Sequence, residues 1–274
     1  MRRWLFILAL LPALGATALQ ADTDGLPLWE LGIGIGGMRF PDYRGAEQSQ
    51  SYLLPIPTVV YRGERLKLDD KGLRGLLFDS ERLILDISLD GAVPVDSSQN
   101  GAREGMPDLD AAFEIGPSLK WILHDQRPLE IRLNLPLRQV ISSDFSRFDN
   151  RGQLFHPHLS LDHRRLWNLG LSLGPLYASR AYHDYYYSVD PAYATPERPA
   201  YQAQAGYSGL RYTATLSRRF ARIWVGAFLR YDDLRGVVFE DSPLLRENQA
   251  WMGGASAVWF FHQSKERVRR ESTH

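Results

Sequence analysis

His156, His158, Ser160 and Asp162 fall on alternate positions, so an extended chain places all four on one side. An imidazole, a hydroxyl and a carboxylate on one face are the ingredients of a nucleophilic hydrolase. The spacing argues against one: at 3.2–3.4 Å of rise per residue, neighbours two apart lie about 6–7 Å from each other, too far for direct hydrogen bonds. The set therefore reads as structural polar groups, and no catalytic residue is assigned. His156 and His158, joined by His183, could also ligate zinc or copper through their imidazoles. With no cysteine in the chain and no compact ligand motif, neither a metal nor a cofactor is assigned. A third concentration is aromatic: Tyr182, Tyr185, Tyr186, Tyr187, Tyr193 and Tyr201, with Pro191, Pro196 and Pro199 among them. A connection this long is usually functional or disordered, and stacked rings could make it a lid, a contact surface or a self-packed plug.

The elements that must position these groups alternate with a period of two. Leu109, Ala111, Phe113, Ile115, Leu119, Trp121 and Leu123 share one phase, with Asp110, Glu114, Ser118 and Lys120 in the other. Leu129, Ile131, Leu133, Leu135 and Leu137 then alternate with Glu130, Arg132, Asn134 and Arg138. Such runs are strands with one apolar and one polar face, and they exceed the roughly 9–11 residues that a tilted strand needs to cross a bilayer. Similar runs at 29–36, 52–62, 82–91, 153–163, 166–177, 207–219, 222–231 and 249–261, with a tight hairpin over 64–78, bring the count to about twelve. Short links alternate with long ones at 41–50, 92–106, 142–151, 179–206 and 234–248, the turn at 69–72 being the brief exception. This is the loop pattern of an outer-membrane barrel, and its even parity puts both termini on one side, the periplasmic one.

A soluble two-sheet sandwich would alternate too. The N-terminus helps to decide: Arg2 and Arg3 precede an apolar run over 4–14 and a small-residue region, the form of a secretory signal peptide. Cleavage is expected after Ala21, with Ala18 as the alternative, which leaves a barrel over 22–262 and a charged tail over 263–274. No later segment is apolar enough for a spanning helix, and a mean hydropathy of −0.29 suits a barrel with a polar lumen. Acidic and basic residues balance at 32 each, which argues against a nucleic-acid partner. Prolines 55, 57, 117, 136, 157 and 175 count against closure, because a closed barrel has no edge on which to hide a missing donor. Trp29, Trp121, Trp167, Tyr177, Trp251, Trp259 and Phe261 near strand ends fit interface girdles.

On the barrel reading the polar phase forms a mixed-charge lumen of Glu30, Asp86, Asp90, Asp110, Glu114, Lys120, Glu130, Arg132, Arg138, Asp162, Arg211 and Arg230, with His156 and His158. Charges of both signs in a narrow space predict pairing that braces the barrel. Twelve strands leave more room than eight, for which side chains just fill the interior, so a restricted passage stays open as an alternative.

Several segments resemble the MipA/OmpV family of outer-membrane proteins. They are Trp29-Glu30-Leu31-Gly32-Ile33-Gly34 leading into Pro41-Asp42-Tyr43-Arg44-Gly45, then Leu54-Pro55 with Tyr61-Arg62-Gly63, and Asp70-Lys71-Gly72-Leu73-Arg74-Gly75. Tyr182-His183-Asp184-Tyr185-Tyr186, Pro199-Ala200-Tyr201, Gly206-Tyr207 and Arg230-Tyr231-Asp232 follow in order. The resemblance implies a monomeric all-β transmembrane barrel among outer-membrane lipids. It also implies a non-enzymatic scaffold joining a lytic transglycosylase to a bifunctional peptidoglycan synthase, while other members are discussed as porin-like proteins or adhesins. Pro41 to Gly45, Tyr182 to Tyr186 and Tyr201 are the candidate loop and partner residues. They map to the outer side, whereas wall enzymes work in the periplasm, so a docking surface would have to use the short turns, the termini or the tail.

Overall fold

A computed structural model describes residues 25–63, 66–69, 72–92, 94–144 and 146–268. The expected signal peptide and the last residues of the tail lie outside these. The strands run β1 Leu26–Pro27, β2 Trp29–Pro41, β3 Ser49–Arg62, β4 Leu66–Asp69, β5 Gly72–Asp79, β6 Leu83–Ala92, β7 Ala111–Gln126 and β8 Leu129–Ser143. They continue as β9 Phe148–Phe155, β10 His158–Arg164, β11 Asn168–Ala178, β12 Gly206–Phe220, β13 Ile223–Asp233, β14 Gln249–Gln263 and β15 Arg267–Val268; one helix, α1 Arg180–Tyr187, lies between β11 and β12.

Strands β2 to β14 form one antiparallel sheet in chain order, and β14 pairs back onto β2. β9 and β10 occupy a single place, each pairing with both β8 and β11, and the register carries across from Gln139↔Gln153 in β9 to Asn134↔His158 in β10, so the wall has twelve positions. The fold is a transmembrane up-and-down β-barrel. Its apolar phase points outward: Ile33, Ile35, Ile115, Leu119, Trp121, Leu123, Leu137, Leu169, Leu171 and Leu173 are exposed, while Glu30, Asp86, Ser118 and Asn134 are buried. A soluble sandwich would bury the first set. Rings gather at both rims. Trp167 meets Phe220 and Trp259 meets Phe261 near the short turns, whereas Tyr177 meets Tyr207 and Tyr231 meets Trp251 near the long loops.

The prolines sit where the ladder gives way. Pro157 separates β9 from β10, Pro175 precedes a register shift in β11, and pairing between β7 and β8 lapses at Gly116 and Pro117. Two expectations need correction. Leu109 is not on the lipid face; it bridges Val95 and is buried beneath the long loops. Asp110 likewise precedes β7 instead of facing the lumen from it. At the opposite end β15 pairs with β1, and Ser264 N donates to Trp29 O at 2.9 Å, so these two segments meet beside the short turns.

Candidate functional site

The candidate residues divide between a cap over the long-loop end and a ladder of charges below it. The cap begins where β2 ends. Gly45 has φ +83, and a Cβ there would lie 2.3 Å from Leu245 Cδ1, so only glycine lets the chain turn inward at this point. That turn sends Tyr43 into a buried cluster with Val95, Leu109, Tyr187, Val189, Leu234, Phe239 and Leu244, drawn from four loops. The Tyr43 hydroxyl donates to Leu244 O at 2.8 Å, the Tyr187 hydroxyl to Arg44 O at 2.9 Å, and Asn100 Nδ2 to Asp42 Oδ2 at 2.7 Å. Tyr187 stacks on Phe239 with centroids 3.7 Å apart. Burial pushes the Tyr43 phenol up to about 12, so it remains a hydrogen-bond donor across the physiological range.

The tyrosine-rich connection opens with α1, an element that the period-two pattern does not announce. Ser179 caps it, its hydroxyl accepting from Tyr182 N at 3.4 Å, and the i, i+4 spacing puts Tyr182 and Tyr186 on one side. That side packs down onto Ala112, Val140, Leu154 and Leu176 of the upper wall. The helix is therefore seated inside the mouth. His183, fully buried, lies with Nδ1 2.5 Å from Gln204 O, so Nδ1 carries the proton, and its Nε2 has no partner among the described residues. Burial holds its pKa down at about 4. Tyr185 donates to Asp110 O at 3.3 Å, Arg198 donates to Ala102 O and Glu104 O, and Tyr201 pairs through its backbone with Val189. Asp184 stays partly exposed, bound to Ser188 Oγ at 2.6 Å.

Arg44 ties the cap to the ladder. Its Nε donates to Asp232 Oδ2 at 2.8 Å, and Asp232 also receives Arg211 at 2.7 and 2.9 Å. Lower down, Arg138 bridges Asp90 at 3.1 Å and Glu114 at 3.3 Å, and Lys120 pairs with Asp86. Arg132 and Arg164 share Glu130, and Arg132 also holds Asp162. Near the short turns Glu30 receives Arg62 at 2.6 Å and both terminal nitrogens of Arg219, which spans the widths of β13 and β14 to reach it. These ion pairs run mostly between close strands, with one chord across the base. His156 and His158 stack with ring centroids 4.5 Å apart, and Ser160 and Asp162 are engaged by Asn134 and Arg132. The four potential hydrolase groups are not assembled into a relay. Arg230 Nε is buried with no hydrogen-bond partner among the described residues.

Sequence reasoning missed a second property of the lumen. Val60, Trp224, Phe228, Val258 and Phe260 form a buried apolar cluster on the inner side of β3, β13 and β14, so one part of the lumen is apolar and the rest charged. The glycines at alternate positions of β2 were the available signal, because they make room for these side chains. A Cβ on Gly36 would sit 2.5 Å from Ile56 Cδ1.

Solved barrels resemble this one in fold. An outer membrane channel from Pseudomonas putida F1 gives a TM-score of 0.44 at 13% identity, covering 89% of this chain and 100% of that one. A bacterial polysaccharide outer membrane secretin gives 0.44 at 8% identity, covering 88% and 100%. The NanC porin gives 0.39 at 10%, covering 84% and 100%. No curated protein matches the chain significantly. Residues 33–261 match the family described as MltA-interacting protein MipA, and over that span, which includes nearly the whole barrel and its cap, the chain belongs to the MipA family of outer-membrane β-barrel proteins.

Proposed function

We propose that this protein is a non-enzymatic adaptor of the outer membrane that holds a lytic transglycosylase, and through it a bifunctional peptidoglycan synthase, at the inner face of that membrane. The mature chain would begin after a cleaved signal peptide and act as a monomeric barrel. The observation that carries the reading is the packed cap, in which Tyr43, Tyr187, Phe239 and Leu244 from separate loops share one buried cluster. A mouth filled in this way favours a structural role over solute passage. The family's description, which names an interaction partner, supports the class of partner.

The contact surface on this reading is the end where β1 and β15 pair, with the exposed Lys265, Glu266 and Arg267 beside the short turns. Turns alone offer little against the roughly 800 Å² per partner of a standard interface, so the paired termini are needed. Reversible crosslinking in cells, followed by copurification, should recover a wall-cutting enzyme. Removal of residues 264–274 should reduce that recovery while the barrel still folds. Recovery of no wall enzyme by the intact protein removes the adaptor reading, and so does a steady, voltage-independent open level in planar bilayers.

A further inference from the structure

The twelve wall positions are unequal, and the inequality is concentrated at one place. β3 contains fourteen residues, whereas β4 contains four and β5 eight. Asp69 pairs with Gly72, and the paired residues of the hairpin end there. Among the described residues, β3 meets β4 only at Tyr61↔Leu68 and Arg62↔Lys67, and β6 meets β5 no further up than Ile87↔Gly75. β3 continues from there to Ser49 and β6 to Ala92, each paired on its other side alone. Among the described residues the wall therefore has a gap above the hairpin, along most of β3 and the upper half of β6.

Unpaired backbone facing hydrocarbon is costly, and an exposed edge invites another strand. The prolines of β3 lessen both problems by removing donors from the edge. Arg62 N donates toward β2, to Leu28 O at 2.8 Å, and the β2–β3 register is unbroken from Trp29↔Tyr61 to Pro41↔Ser49. Alternation then points the even-numbered amides at β2 and the odd-numbered positions at the gap. Pro55 and Pro57 are both odd, so the edge lacks two donors in its middle. An edge built in this way resists strand addition.

We infer that this gap is a side portal through which an acyl chain of the surrounding lipid enters the barrel and lies along the apolar inner wall. The chemistry of the two sides selects the occupant. β3 is apolar on both faces: Leu53 and Val59 are exposed outward, while Ile56 lies inward over Gly36 and Val60 joins Trp224, Phe228, Val258 and Phe260. Across the gap, the inward Ser88 and Asp90 of β6 are already bound by Arg138, so these two groups are not waiting for a polar guest. The portal opens at the level of hydrocarbon onto hydrocarbon-like side chains.

The absence of native cysteine permits a clean test. Full-length protein carrying Ile56→Cys or Leu54→Cys on the inner phase beside the gap is labelled with bimane and placed in vesicles containing lipids with doxyl groups on the acyl chain. Leu53→Cys on the outer face and Ser172→Cys, on the inner phase of a wall paired on both sides, are the references, and heat-modifiable mobility verifies folding. Quenching of either inner label should approach that of Leu53→Cys and exceed that of Ser172→Cys several-fold. Quenching at both inner positions no greater than at Ser172→Cys overturns the portal. Oxidative dimers of Leu53→Cys accompanied by unquenched inner labels would also overturn it, because the edge would then be held by a second copy.

Discussion

Asp232 takes two guanidinium groups, Arg44 from the first long loop and Arg211 from the neighbouring strand, and is almost wholly buried. Loss of its charge alone leaves two cations facing a neutral amide, a change that costs about 3–5 kcal/mol at buried pairs. Asp232→Asn should therefore lower the unfolding temperature of the barrel and open the 41–48 turn to trypsin. Asp184→Asn, on the partly exposed side of α1, should shift stability by no more than about 0.5 kcal/mol. His183 gives a different dependence. Burial holds its folded pKa at about 4, below the ordinary value of about 6.5, so protons bind the opened cap before the closed one. The cap is most stable above about pH 6.5, loses stability as the pH falls toward 4, and changes little below that; the full loss is about 3 kcal/mol. Arg44 nearby reinforces the depression, while Asp184 and the Gln204 carbonyl oppose it. Hydrogen exchange of residues 180–206, corrected for intrinsic rates, should accelerate from pH 7 to pH 4.5, and His183→Gln should flatten that profile. A flat profile in the unaltered protein rejects this account.

At the level of elements, the prolines of β3 can be tested directly. Pro55→Val with Pro57→Val returns two donors to the open edge and removes its protection against strand addition. Purified double variant should form larger species in detergent than the parent chain does, as read by light scattering; an unchanged mass means the edge is guarded by something else. These prolines also show how far the sequence could be read. The alternation of Leu129 to Leu137 with Glu130 to Arg138 was legible because a period of two leaves only the choice of face, and burial settled that choice. In sequence alone Pro55 and Pro57 argue against a fully closed barrel; their meaning depends on the extent of the next hairpin. Leu109 continued the phase of β7 but belongs to the cap, because a loop that packs on itself imposes no period. The helix α1 was hidden for a related reason. Its eight residues include four tyrosines with little helical preference, and packing onto Val140, Leu154 and Leu176 supplies what propensity does not.

The whole molecule is layered by solvent: leucines and rings outside, paired charges and an apolar stripe within, and a separately packed cap over one end. The cap's core is built from chain segments far apart in sequence, with Tyr187 hydrogen-bonded to Arg44 and Ser242 to Tyr187. Its closure should therefore be cooperative, and removal of one contributor should affect the mouth more than the wall. Deletion of residues 181–206 takes away nearly all of α1 and the ring that stacks on Phe239, but leaves the pairing of β11 with β12 from Tyr177↔Tyr207 downward and that of the other spanning strands in place. The shortened protein should still show heat-modifiable mobility, and it should pass ions in planar bilayers where the full chain does not. Below the mouth, Arg138 with Asp90 and Glu114, and Glu30 with Arg62 and Arg219, still narrow the passage. The new conductance should accordingly be small, and Glu30→Gln, which frees the chord across the base, should change it further. A deletion variant that folds yet stays closed would place the seal in the charge ladder instead, and the cap would then act on the outer surface alone.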